Sequence, residues 1–257
     1  MPSVSPWPPK QDGAKADLHC IRAPKCEASS GKVAESEASK AQRHRDYFFN
    51  DGNVVLQVES VLYKLHRSLL EKHSPVFREL FTIPQSPGST EGCSEDNPII
   101  LAGVRATDFT RFLWLLYPPI LGDCKITTVD EWLSVVDQAD RWEMDSLREF
   151  AVNQLRQLYI EPIRKILIWS RYSLPAHELV ASYMDVISRP LVLSIGEAQE
   201  LGHSLIVKIS KARDLVHAQG ACACCPARSR MGHSAAKDRI LADIVNRTFG
   251  IHSPAYL

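Results

Sequence analysis

The chain has 257 residues, 45% of them hydrophobic and 23% charged, and its 30 basic side chains balance 30 acidic ones. That composition suits one or two globular domains and offers no net charge to attract nucleic acid or an acidic membrane. No apolar run reaches the roughly 20 residues of a spanning helix. Seven cysteines, an odd number with no leader-like apolar stretch ahead of them, argue against a disulfide framework and for a reducing cytoplasmic or nuclear setting rather than secretion.

Residues 1–45 read as a disordered tail, with Pro2, Pro6, Pro8, Pro9, Pro24 and a polar run from Glu27 to Lys40. Ordered structure is expected from Tyr47-Phe48-Phe49. After the turn residues Asn50-Asp51-Gly52, Val54, Leu56 and Val58 alternate as a strand, and Val61–Leu65 reads as its hairpin partner across Glu59-Ser60. That break lacks the Gly or Asn of favoured hairpin turns. A short helix is expected over 66–72. Ser74-Pro75 then caps and opens a second one carrying Val76, Phe77, Leu80 and Phe81. A loop covers 84–97, and Pro98–Leu101 reads as a third strand. Thr107 is placed to cap a helix from Asp108 to Tyr117, which Pro118-Pro119 ends.

From there only helices are predicted. Thr128-Val129-Asp130-Glu131 is a capping box ahead of Trp132, Val135, Val136 and Ala139. Apolar residues at helical spacing continue through Leu147–Leu158, Ile163–Leu167 and Leu179–Ile187. Ser194-Ile195-Gly196-Glu197 is a second capping box, opening a last long helix through Ala212. The absence of βαβ alternation makes this an α+β core with an all-α continuation.

Catalytic and metal signals are weak. His177-Glu178 starts like a zinc-protease pair, but the second histidine position is Ala181. Cys222, Cys224 and Cys225, with His217 nearby, form the sharpest metal-like cluster. Adjacent Cys224 and Cys225 do not both point easily at one tetrahedral ion, and no CxxC pair exists, so no metal, cofactor or catalytic residue is assigned. The acidic run Asp137, Asp140, Glu143 and Asp145 reads as a solvated turn. Residues 208–247 are locally basic, without aromatic interleaving or finger spacing, so nucleic acid is not an expected partner.

Three stretches carry a family resemblance: Asp51–Val58, Leu65–Leu70, and His73-Ser74-Pro75-Val76-Phe77-Arg78-Glu79-Leu80-Phe81. With Phe109–Tyr117 as the next helix, they resemble a BTB/POZ domain, and the phrasing is similar to the BTB proteins of mushroom-forming fungi. The resemblance implies a BTB/POZ-like small sheet with packed helices at 46–160; the residue pattern adds a helical extension at 161–217 and a loose basic, Cys-containing tail at 218–257. The resemblance also implies a non-enzymatic protein-interaction module that oligomerises or scaffolds. Alternatives are a substrate adaptor of a cullin-3-type ubiquitin ligase and a nuclear regulator using the basic tail. Protein partners, a homodimer or a cullin are the implied partners.

The candidate contact residues are Asp51, Asn53, Arg67, Ser68, Leu70, Glu71, Phe109, Arg111, Phe112 and Tyr117. In dimers of the transcription-factor type, an Asp of the first strand faces the Arg after the His. Here Arg67 meets Asn53 at that position, with Asp51 two residues earlier. In cullin adaptors an apolar-x-Glu step is common. Here it is Phe109-Thr110-Arg111, with the charge reversed.

Overall fold

Residues 41–83, 91–118, 125–219 and 234–251 are described by a computed structural model. They fall into two compact units, one ending at Tyr159 and the other beginning at Ile160. The expected tail up to residue 40, residues 84–90 of the expected loop, and Cys222, Cys224 and Cys225 lie outside the described residues.

The first unit is built on a four-stranded sheet in the order β1-β3-β2-β4. Strands β2 (Val54–Val58) and β3 (Val61–Leu65) form the predicted antiparallel hairpin, in register from Val54↔Leu65 to Val58↔Val61. Its turn solves the missing-glycine problem unusually: Glu59 itself takes a positive φ of 53°. L-residues rarely sit there. Gln57 Nε2 donates to the Glu59 carbonyl (3.0 Å), and the Glu59 carboxylate accepts the backbone N–H of Ala106 (3.0 Å). The same residue thus shapes the hairpin and closes the first turn of α3 (Ala106–Leu116). This is also why the expected Thr107 cap is not made: the helix starts earlier, with Arg105 at the cap position and no side-chain cap bond of its own.

Strand β4 (Ile99–Ile100) pairs parallel with β2. On the opposite edge, β1 (Gln42–Phe48) pairs parallel with β3, so ordered structure begins before Tyr47 and the sheet has one strand more than its apolar patterns predict. Of β1 only Tyr47 is buried. Backbone pairing, not hydrophobic alternation, holds it. Gly52 is required by close approach, since a Cβ there would come within 2.9 Å of the Lys64 carbonyl oxygen.

Helices α1 (Arg67–His73) and α2 (Pro75–Thr82) meet at Ser74. Its hydroxyl accepts from Phe77 N (3.0 Å) and donates to the Trp142 carbonyl (2.6 Å), tying the cap to a residue far along the chain. The capping box at Thr128 and Glu131 opens α4 (Val129–Arg141), and α5 (Asp145–Gln157) packs against it. The core gathers Leu56, Tyr63, Leu65, Leu70, Phe77, Phe109, Phe112 and Trp142. Phe77 stacks on Trp142, with ring centres 4.6 Å apart. Each fully buried side chain of this size contributes about 1.5–3 kcal/mol of transfer free energy.

The second unit is helical: α6 (Pro162–Arg171), a 3₁₀ turn at Ala176–Leu179, α7 (Val180–Ser188), α8 (Ile195–Ala218) and α9 (Ser234–Phe249). Glu178 of the weak zinc-like pair has a structural task here, accepting the indole N–H of Trp169 (3.2 Å). The Ser194–Glu197 capping box forms, and Glu197 also takes a two-pronged ion pair from Arg189 (2.8 Å each). Gly202, at φ 75°, kinks α8 where the sequence predicts one continuous helix. Helix α9 corrects the expectation of a loose tail from 218 onward: Ile244 and Val245 are buried, and Phe249 stacks on Tyr183 of α7 (3.9 Å). No helix among the described residues is long and apolar enough to cross a membrane.

Candidate functional site

The candidate contact residues separate into two groups. Leu70, Phe109 and Phe112 are each 0% exposed and belong to the core, which removes them as contacts. They lie on the apolar stripes of α1 and α3, and sequence spacing marks such a stripe without saying what covers it. The remaining seven are exposed or partly exposed, and most of them cluster around the start of α1.

Their local geometry follows from an uncapped helix. His66, the residue before α1, makes no side-chain cap bond. Instead Asn53, just ahead of β2, accepts the backbone N–H of Arg67 at 2.7 Å. Asn53 is therefore committed to the helix start rather than to the Arg67 side chain. Asp51 does not substitute for the missing strand acid either: it pairs with His66 Nε2 at 3.2 Å, and that hydrogen bond holds its carboxyl below the ordinary carboxylate range. Tyr117, at the end of α3, accepts the His66 N–H through its hydroxyl (3.0 Å), and burial raises its pKa. Its ring sits against Phe49 (5.0 Å) and His66 (5.8 Å).

The Arg67 side chain is satisfied within its own chain. Its guanidinium pairs with Glu71 one turn along α1 (2.7 Å), donates to the Phe81 carbonyl (2.8 Å) and lies over the Phe81 ring (4.9 Å). The cost expected of an unpaired arginine does not arise. Both partners are partly exposed. Pairs of this spacing contribute only about 0.3–0.5 kcal/mol. Beside them runs a shallow groove of about 210 Å³, lined by Asn53, Arg67, Phe81, Ile83, Cys93 and Ile99, with Glu91 also on its wall. Ile83 is 49% exposed there. Ser68 is exposed on α1 nearby.

Arg111 lies apart from this cluster. It donates to Asp108 (2.9 Å), and its guanidinium is 3.8 Å from Glu131. Phe109 of the same step is core, so the step offers no apolar side chain to a partner. Among the described residues no group of three or more His, Cys, Asp or Glu could hold a metal ion. His217 is exposed on α8.

Two participants escaped sequence reasoning. Glu59 looked like a plain turn residue, and nothing local announces that it caps α3. His44 lies in a segment read as tail, yet it is partly buried between Tyr47 and Tyr63.

A small hairpin-centred sheet, covered by short helices and carrying a mixed polar and apolar groove, defines a docking domain. The comparison with protein families agrees: residues 42–158 match the BTB/POZ domain, a protein-protein interaction module that is generally non-catalytic. No curated protein matches the chain.

Proposed function

We propose that this chain is an oligomerising scaffold whose groove between Arg67, Phe81 and Ile99 receives a second copy of the same chain. The observation that carries the reading is the groove's mixed character. Arg67 lines the groove beside apolar Phe81 and Ile83, and pairs with Glu71 one helical turn further along α1. Under a twofold axis such a patch is complementary to itself, Arg67 of one copy meeting Glu71 of the other. The pair within one chain is weak enough to be exchanged for that contact at little cost. Pairing would bring two helical units together. Adaptor function for a cullin-3-type ligase draws less support, because Phe109 is core and Arg111 is engaged by Asp108.

The test is the solution mass of the full chain by light scattering across a concentration series. The expected result is a dimer that Ile83→Asp or Arg67→Glu weakens and the double exchange Arg67→Glu with Glu71→Arg restores. A mass of 28.8 kDa at every concentration would overturn the reading and turn the search to a different protein partner.

A further inference from the structure

Strand β1 is the weakest-patterned element of the sheet and the most unusual in its register. It pairs with β3 at Gln42↔Val61 and Arg43↔Leu62, then next at Phe48↔Lys64. Residues 44–47 of β1 therefore stand against Tyr63 alone. A bulge of this size leaves amide N–H groups without ladder partners. Two of them, Asp46 and Tyr47, donate to the same acceptor, Nδ1 of His44 (3.1 and 3.2 Å).

That arrangement fixes the tautomer. Nδ1 accepts, so the ring proton sits on Nε2, which faces Thr110 Oγ1 at 3.4 Å. The Thr110 hydroxyl lies 3.0 Å from the Tyr63 hydroxyl, which in turn donates to the Ala106 carbonyl (3.2 Å). A directed chain of donors runs from the imidazole through Thr110 and Tyr63 to the first turn of α3. The imidazole also stacks on Tyr63, ring centres 5.0 Å apart and planes 25° apart.

We propose that His44 is a proton-operated clasp on β1: protonating Nδ1 replaces the shared acceptor by a donor, sets it against two N–H groups and releases the bulge from the core. Release would leave β3 as an open sheet edge.

The surrounding groups set the direction. Desolvation by burial pushes the His44 pKa below its ordinary 6.5, and Asp46 on the same strand opposes that more weakly. The Tyr47 hydroxyl, pushed up to about 12 by burial and by Asp46, stays protonated throughout. From β3 the facing group is Tyr63, likewise raised by burial, with Glu59 acting on it from the hairpin turn. From α3 it is uncharged Thr110. The Tyr47 hydroxyl is buried without a protein partner. This makes the docking of β1 costly and leaves the clasp to decide it. A neutral form favoured by folding means the clasp is fully closed above about pH 6.5 and loosens as pH falls from there through the folded-state value.

The experiment is amide hydrogen exchange on the full chain at about pH 7.5 and 5.5, corrected for intrinsic rates, bracketing the ordinary imidazole range. Protection over 42–49 should fall at the lower pH by up to about tenfold, the most that one pH unit below the ordinary imidazole value supplies, while α4 stays protected. His44→Asn retains a side-chain oxygen able to accept from the amide two residues on but does not titrate. It should hold β1 equally at both values. His44→Ala should leave β1 poorly protected at both. A pH-independent β1 in the native chain, the same fall in His44→Asn, or ring-nitrogen NMR shifts placing the proton on Nδ1 at neutral pH would each overturn the proposal.

Discussion

In the sheet unit, beside the local capping box of α4, three helix ends are tied from far along the chain: Trp142 receives the Ser74 hydroxyl 68 positions away, Tyr117 takes the His66 N–H across 51, and Glu59 takes that of Ala106 across 47. In the helical unit, Arg213 of α8 does reach the Val186 carbonyl at the end of α7 across 27 residues, but the starts of α6 and α8 are closed locally. Ser194 and Glu197 cap each other three residues apart, and Arg189 reaches Glu197 across eight. The contrast teaches where cooperativity resides. Ties of long sequence separation bind sheet, hairpin and helices into one unit that must form together, whereas near-neighbour caps let a helix end open by itself.

The largest expected effect that would sharpen this contrast is Phe77→Ala. The ring is 0% exposed and packed between Trp142 and Phe81. Losing it should cost about 3–5 kcal/mol, seen in urea denaturation followed by tryptophan fluorescence. A loss below about 1 kcal/mol would mean the core is far looser than its packing implies.

Ser74→Ala comes next. It deletes a donor and an acceptor at a buried site. The expected cost is about 1–3 kcal/mol, with exchange rates rising through both α1–α2 and the turn at Trp142. A rise confined to α2 would break the comparison, because it would make this cap local after all.

The smallest effect belongs to the helical unit. Hydrogen bonds from Arg189 and then from Ser194 N hold the Glu197 carboxyl down at about 2. A depressed carboxylate stabilises the fold above its ordinary 4.5 and loses that contribution as pH falls toward about 2. Arg189→Met should return the titration, followed by carboxyl carbon NMR, toward 4.5, with exchange changing only in the first turn of α8.

Much of the architecture was legible in the sequence because it rests on short-range rules. The alternation of Val54, Leu56 and Val58, the Ser74-Pro75 cap and both capping boxes name their elements locally, and each forms as read. What stayed hidden depends on distant partners. The sequence of β1, Gln-Arg-His-Arg-Asp-Tyr-Phe, has no strand alternation, since β3 supplies its hydrogen bonds. The cap of α3 comes from a hairpin turn. Helix α9 was hidden differently: Ile240, Ile244 and Val245 do stand at helical spacing, but the Cys- and Arg-containing stretch before them drew the whole segment into a tail. In the candidate site, residue type and position found Asn53, Arg67 and Glu71, which the fold does bring together. The same reading could not separate the buried Phe109 and Phe112 from contact residues, because a core stripe and an interface stripe share one spacing.

Position 59 illustrates what such double duty does to tolerance of change. Glycine would suit the turn's positive φ better than glutamate, yet it would strip α3 of the carboxylate that closes its first turn. Glutamine would preserve an oxygen but not its charge at the positive end of the helix. Improvement of one element at this site is damage to another, so the effect of any replacement depends on what occupies the start of α3, and the two places are free to drift only in concert.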